Sequence, residues 1–464
     1  MEVITLKEVL EAVEGKLVIK GETEEYNSVS TDTRKIQKGD IFIALKGENF
    51  NGNKFTINAI ESGASLCIVD EICFKSEDVL NKSYIVKVKD TGKALLDLAR
   101  YYKNKLNIKV IAITGSTGKT STKDLVAATL SNNFKVFKTE GNFNNEIGLP
   151  LMVFKLDKSY DIAVLEMGMN HFGEIHRMAE VANPDIAIIT NIGISHIENL
   201  GSRENILKAK LEITDFFGKD NLLILNGDND ILSTYKNNDY KLYNISTIDK
   251  SNSSFFAENI NLSEKDGSFD IFEQGENKYK DFKIPVPGKH NVLNSLLAIA
   301  CGKYFGMSYD EMQNGMKNLK STSMRLDIIK KESFTIINDC YNASPDSMKA
   351  AIDVMKNVDG KRKILVLGDM LELGKESFNA HKSIGEYARK NGVEVIIAIG
   401  KFSNAYKEGF ISSEDKKYFK QCETREEAFK YIENILQKRD IILVKASRSM
   451  RLEKIVDKLK NINS

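Results

Sequence analysis

The sequence has no surplus of charge of either sign: 66 lysines and arginines face 65 aspartates and glutamates, for a formal net charge of +1. That balance argues against a dedicated nucleic-acid binder, whose domain would ordinarily be basic. It leaves room for a local basic patch that takes an anionic small molecule. Cysteine is scarce and scattered, at Cys67, Cys73, Cys301, Cys340 and Cys422, and no pair has the spacing of a zinc site or a redox CxxC. Five reduced, packed thiols in a cytosolic protein are expected instead. No apolar run approaches the roughly 18–20 residues of a membrane span. Met1–Leu10 carries two glutamates and no long apolar stretch, so no signal peptide is expected there. Internal repeats and low-complexity tracts are also missing. A cytoplasmic protein without a membrane span is the expectation.

What is there is enough for more than one core. The chain has 464 residues, whereas single cores stop growing near about 250–300, so two or three domains are expected. Short apolar runs recur at Ile41–Leu45, Leu66–Val69, Val110–Thr114, Ile162–Leu165, Ile186–Thr190, Leu222–Leu225, Ile364–Leu367, Val395–Ile399 and Ile441–Val444. Continuous runs of this length suit strands buried on both faces of a parallel sheet. Helical patterns lie between them, among them Thr91–Lys105 and Lys119–Ser131. This alternation predicts α/β architecture. The chain is expected to break near Lys89 and again at Lys320–Met324. Residues 233–285 are polar and irregular, and are expected to form an antiparallel appendage.

The clearest chemical signal follows the run ending at Thr114. Gly115-Ser116-Thr117-Gly118-Lys119-Thr120-Ser121 sits between an expected strand and an expected helix. Such a turn aims backbone N–H groups and a helix N-terminus at phosphate oxygens. Lys119 can reach the β- and γ-phosphates of ATP, and the Thr120 hydroxyl can ligate Mg²⁺. The spacing departs from the common P-loop, because Ile113 stands where an earlier glycine is usual; this is a shorter GxxGK[ST] loop. In open parallel sheets ligands collect beyond the carboxyl ends of the strands. Glu166, His196 and Lys210 fall at or past such ends. Taken singly they read as a structural acid, a satisfied loop histidine and a surface lysine. In this order after a phosphate loop they suggest a metal-assisted site.

Eight motifs then stand in one order: 114–121 (Thr-Gly-Ser-Thr-Gly-Lys-Thr-Ser), 141–148 (Gly-Asn-Phe-Asn-Asn-Glu-Ile-Gly), 166–175 (Glu-Met-Gly-Met-Asn-His-Phe-Gly-Glu-Ile), 208–213 (Lys-Ala-Lys-Leu-Glu-Ile), 287–294 (Pro-Gly-Lys-His-Asn-Val-Leu-Asn), 339–348 (Asp-Cys-Tyr-Asn-Ala-Ser-Pro-Asp-Ser-Met), 368–374 (Gly-Asp-Met-Leu-Glu-Leu-Gly) and 444–450 (Val-Lys-Ala-Ser-Arg-Ser-Met). In these the chain resembles the Mur ligases over nearly its whole length. The resemblance implies three α/β domains: a uridine-nucleotide-binding domain (1–89), a central P-loop ATPase with a mainly parallel sheet (90–322) and a C-terminal Rossmann-like domain (323–464). It implies an ATP-dependent amide ligase acting on UDP-N-acetylmuramoyl-tripeptide and D-alanyl-D-alanine, with a monomer as the expected state. The Asp-Asn-Pro-Arg motif of the family member that adds diaminopimelate or lysine is not found; Gly374–His381 occupies that region.

Residue roles come with the resemblance. Ser30, Asp32, Arg34 and Gly47 are expected at the uridine nucleotide, and Asn142 and Asn145 at the substrate. Thr120 and Glu166 are expected to serve one Mg²⁺. Lys210 matches the lysine carried as an N-carboxylated side chain, with Lys208 the competing position, and His196 is expected near a second metal. Asn291 and Asn294 are expected at the adenine, Arg325 at ATP from the hinge, and Asp339, Tyr341 and Asn342 at the nucleotide. Lys445, Ser447 and Arg448 are expected to face the dipeptide or the acyl phosphate; Ala446 stands where the family often has glycine. His171 and His196 are both candidates for assisting loss of the amine proton.

Overall fold

The computed structural model describes residues 1–79, 82–274, 276–320, 322–412 and 417–462. Met1–Ile113, Phe134–Ala187 and Leu211–Asn221 pack as one compact unit, and Thr114–Asn133, Ile188–Lys210 and Leu222–Ser464 as another. Residue 321, inside the expected break at 320–324, lies outside the described residues.

The first unit opens with a helix, Leu6–Val13, started by a reciprocal cap. The Thr5 hydroxyl accepts from the Glu8 N–H, and the Glu8 carboxylate accepts from the Thr5 N–H at 2.7 Å. A five-stranded sheet follows in the order Lys16–Ile19, Tyr84–Lys87, Leu66–Val69, Ile41–Ile43, Val29–Ser30, parallel except for the first pair. Its central runs Leu66–Val69 and Ile41–Ile43 are buried throughout, as strands covered on both faces must be. Helix Thr91–Lys105 starts where the Asp90 carboxylate accepts from the Lys93 N–H at 2.8 Å, and it buries Leu95, Leu98, Ala99 and Tyr102 along one stripe. Strands Lys109–Thr114 and Val136–Lys138 both pair in parallel with Ile162–Glu166.

In the second unit Leu222–Asn226, Lys241–Ser246 and Phe255–Leu262 run parallel, and Gly267–Glu273 and Glu276–Ile284 continue the same sheet antiparallel. The expectation of an antiparallel appendage over 233–285 is therefore corrected in part: these strands extend the sheet, the first two of them parallel and the last two antiparallel. They escape a search for apolar runs because polar and partly exposed residues interrupt each of them, and Gly267–Ile271 buries only alternate residues. A second sheet takes the order Asp327–Lys330, Phe334–Asn338, Asp440–Lys445, Arg362–Gly368, Val395–Ile399, Tyr418–Cys422, with only the first pair antiparallel. Alternate residues serve its two faces. Ile337, Leu365, Leu367 and Leu443 pack with Met348, Ile352 and Ile384 of two helices. Ile336, Ile364, Val366 and Val444 pack with Ile432 and Ile455 of two others. Helices on both faces of a mostly parallel sheet give the Rossmann-like layering expected of this segment.

Candidate active site

Strand Lys109–Thr114 delivers the chain into the glycine loop, and helix Lys119–Leu130 leaves it. Gly115 has φ +152°, and a Cβ there would lie 1.9 Å from the Thr190 hydroxyl oxygen. Gly118, at φ +82°, is the helix N-cap and supplies no side-chain acceptor, so the first-turn N–H groups face outward as an anion site. The loop is strapped down by the segment after strand Ile186–Ile189. The Thr190 hydroxyl donates to the carbonyl of Thr117 and, at 3.3 Å, to that of Thr114. The Ser116 N–H donates to the Asn191 carbonyl at 2.8 Å, and the Ser116 hydroxyl accepts from the Gly193 N–H at 2.9 Å. Lys119 folds over the loop and donates to the Gly115 carbonyl at 2.8 Å.

Several expected residues converge on this loop. Asn291 and Asn294 are buried on helix Lys289–Tyr304, and the Asn294 side-chain oxygen would sit 3.4 Å from a Cβ at Gly118. Arg325 donates to the Thr120 hydroxyl at 2.8 Å and lies 4.1 Å over the Tyr341 ring. Its Nε is buried without a hydrogen-bond partner among the described residues, a cationic donor beside the loop that suits a phosphate oxygen. Lys210 closes helix Arg203–Leu211 and is 1% exposed. Burial, and then the charge of Lys119, hold its amine well below the usual lysine range.

His196 precedes the short helix Ile197–Leu200 at φ 65°. Its Nδ1 lies 2.7 Å from a Glu372 carboxylate oxygen, off the line of a well-formed hydrogen bond. In the first unit Glu166 ends its strand with only 2% exposure and accepts from the Asn144 amide at 2.9 Å, while its N–H donates to the Thr139 hydroxyl at 2.9 Å. His171 is exposed in the bend that follows. Among the described residues no three His, Cys, Asp or Glu side chains gather as a metal site. The expected donors, a threonine hydroxyl, one carboxylate, one imidazole and a modified lysine, are not such a cluster.

Other expected residues are engaged locally. Asp32 and Arg34 pair with each other through two hydrogen bonds at 2.9 and 2.8 Å, and the Ser30 hydroxyl donates to the Asp32 carbonyl. Gly47 is exposed in a small hairpin with Phe50–Asn51. The Asn145 side chain accepts from the Gly148 N–H at 2.8 Å and so anchors helix Gly148–Val153; Asn142 is exposed in the turn before it. Lys445 is buried in an ion pair with Asp339 and donates to the Asn342 carbonyl at 2.9 Å. Its ammonium is thus engaged by residues just after strand Phe334–Asn338. The Ser447 hydroxyl accepts from the Leu371 N–H at 3.0 Å, and Arg448 pairs with Glu453 at 3.3 Å. Residue-type reasoning passed over Thr190, Asn144 and Glu372. The last two stand inside quoted motifs, and Thr190 directly follows strand Ile186–Ile189, in the segment that carries His196.

With the geometry in place, comparison with known proteins fixes the class. Residues 25–103 match the Mur ligase family catalytic domain, 113–302 the Mur ligase middle domain and 324–448 the Mur ligase glutamate ligase domain. The chain belongs to the Mur ligase family, with its three-domain, mainly parallel α/β fold. Among curated relatives, the UDP-N-acetylmuramoyl-tripeptide--D-alanyl-D-alanine ligase of Bacillus subtilis is 40% identical over 458 residues, covering 98% of each chain. Among solved structures, MurF from Acinetobacter baumannii aligns with a TM-score of 0.88 at 29% identity over 99% of each chain. MurF ligase from Thermotoga maritima in complex with ADP aligns at 0.81 and 26% identity, over 93% of this chain and 96% of that one.

Proposed function

We propose that this chain uses ATP to join D-alanyl-D-alanine to UDP-N-acetylmuramoyl-tripeptide, giving the pentapeptide precursor of peptidoglycan, ADP and phosphate. The carrying observation is likeness to the Bacillus subtilis ligase along the full length of both chains. In this reading the tripeptide carboxylate attacks the γ-phosphorus of ATP and ADP leaves. The free amine of the dipeptide attacks the acyl phosphate, phosphate leaves with the bridging oxygen, and the amine gives up a proton, with His196 or His171 the group proposed to assist. Lys119, the N-terminus of helix Lys119–Leu130 and Arg325 stabilise charge on the transferring phosphoryl group. Asn291 and Asn294 are proposed at the adenine.

Magnesium, when bound, neutralises phosphate charge; Thr120 and Glu166 are each proposed as ligands, as hard oxygen donors suit that ion. Lys210 is proposed to carry a carbamate: a neutral buried amine adds CO₂ and releases a proton, and depression of its pKa supports this. The division into 1–89, 90–322 and 323–464, the substrate roles of Ser30, Asp32, Arg34, Gly47, Asn142 and Asn145, a monomeric state and a cytoplasmic location belong to the same proposal. Among the described residues no helix is long and apolar enough to cross a membrane.

The test is phosphate release from ATP with each substrate alone and with both. Strong release only with UDP-N-acetylmuramoyl-tripeptide and D-alanyl-D-alanine together supports the assignment. Turnover indifferent to both would favour an ATP-driven binding module.

A further inference from the structure

The loop 191–198, which straps down the phosphate loop, is gripped by two segments of the third domain. Asp346, in the first turn of helix Pro345–Lys356, accepts from the Asn191 amide at 3.3 Å, and one of its oxygens would lie 2.7 Å from a Cβ at Gly193. Gly374, at φ +50°, packs on Glu198, with a Cβ there 3.2–3.3 Å from Glu198 atoms. Between these contacts the Glu372 carboxylate meets His196 Nδ1 at 2.7 Å. Both partners hold left-handed backbone, φ 64° at Glu372 and φ 65° at His196. That conformation is disfavoured for a residue with a Cβ, and two such residues facing each other mark a pair that the surrounding packing enforces.

We infer that Glu372 is a positioning residue, whose carboxylate accepts a hydrogen bond from the protonated Nδ1 of His196 and thereby leaves the bare Nε2 presented toward the phosphate site. The tautomer of an imidazole is set by the hydrogen bond its other nitrogen makes, and a carboxylate behind a functional histidine fixes both its tautomer and its ring plane. The present contact has the right length and an imperfect direction, as site hydrogen bonds do before substrates tighten them. The inference rests on the functional role proposed for His196. It adds that the third domain, through Glu372, completes that role.

Two measurements separate the claims. The imidazole ¹⁵N pattern of His196, assigned with His196→Gln, reports the tautomer without any turnover. It should show a protonated Nδ1 in the wild type, keep it in Glu372→Gln, whose side-chain oxygen still accepts, and lose it in Glu372→Ala. An unchanged pattern in Glu372→Ala overturns the inference. In steady-state ligation Glu372→Ala should lower kcat by about 10–100-fold, leave the KM for ATP within about threefold, and be largely rescued in Glu372→Gln. The double variant His196→Ala/Glu372→Ala should be no slower than His196→Ala alone; multiplying defects would mean that Glu372 acts independently and overturn the inference. Full activity in His196→Ala would instead sink the role given to His196, a separate failure.

Discussion

Replacing Gly115 with alanine asks whether the glycine loop is built as described. The new Cβ would sit 1.9 Å from the Thr190 hydroxyl and 3.1 Å from the Asn191 nitrogen, at φ +152°. Ordinary contact needs roughly 1.5 Å more room at the hydroxyl. Thr190 can yield only by releasing the carbonyls of Thr117 and Thr114. The one hydroxyl proton, shared between the two carbonyls, contributes about 0.5–1.5 kcal/mol, and the unfavourable φ adds about 1–2 kcal/mol. The total is about 1.5–3.5 kcal/mol. If the loop distorts to absorb it, ATP affinity falls by a factor of ten for each 1.4 kcal/mol, which means about tenfold or more. Calorimetric titration with a non-hydrolysable ATP analogue measures this, with thermal unfolding run in parallel to catch any part that falls on global stability. Adding Thr190→Ala to the same variant removes the collision, so the double variant should bind only about tenfold more weakly than Thr190→Ala alone, the backbone share. Analogue affinity within threefold of wild type, with an unshifted Tm, would refute the loop geometry.

Three further outcomes are expected. Lys119→Ala should reduce ligation by at least about 100-fold, measured as ADP and phosphate formation with saturating substrates; near-normal turnover would remove Lys119 from the phosphate site. Lys210→Ala should cripple ligation and recover in part with added small carboxylates, while Lys208→Ala stays close to wild type; the reverse pattern would move the proposed carbamate to Lys208. His290 is held down to about 4 by burial, with Asp339 and Asp353 opposing and Lys445 reinforcing the shift. The unfolded chain therefore takes a proton below about pH 6.5 that the folded chain refuses until about pH 4, so stability falls as pH drops through that window. His290→Asn should lose less Tm than wild type between pH 7 and 4.5, and equal losses would show that His290 contributes nothing to the acid sensitivity.

Much of the fold was legible because buried parallel strands announce themselves. Leu66–Val69, Val395–Ile399 and helix Thr91–Lys105 fall at the residues the apolar pattern indicates. Strands interrupted by polar or partly exposed residues do not, which is why Lys241–Ser246 and the hairpin Gly267–Ile284 read as an irregular appendage. The phosphate loop could be placed because its chemistry is contiguous in the chain. Its supports are not. Thr190 lies 73 residues beyond the Thr117 carbonyl it holds, and Asn144 lies 22 before Glu166; only folding shows which of many polar residues make such pairs. Lys445 shows the converse: a lysine after a strand reads as a substrate contact, and a buried partner, Asp339, absorbs its charge. Lys210 is unremarkable in sequence and becomes distinctive once its helix end is buried beside Lys119.

The central claim is that ATP activates a peptide carboxylate. Tripeptide substrate carrying ¹⁸O in both oxygens of the acceptor carboxylate tests it directly, with released phosphate analysed by mass spectrometry in the presence of D-alanyl-D-alanine. An acyl phosphate leaves one labelled oxygen in the new amide and transfers the other, so each phosphate should carry one ¹⁸O. Phosphate released without label would mean that water received the phosphoryl group, and would contradict the assignment of this chain as a carboxylate-activating ligase.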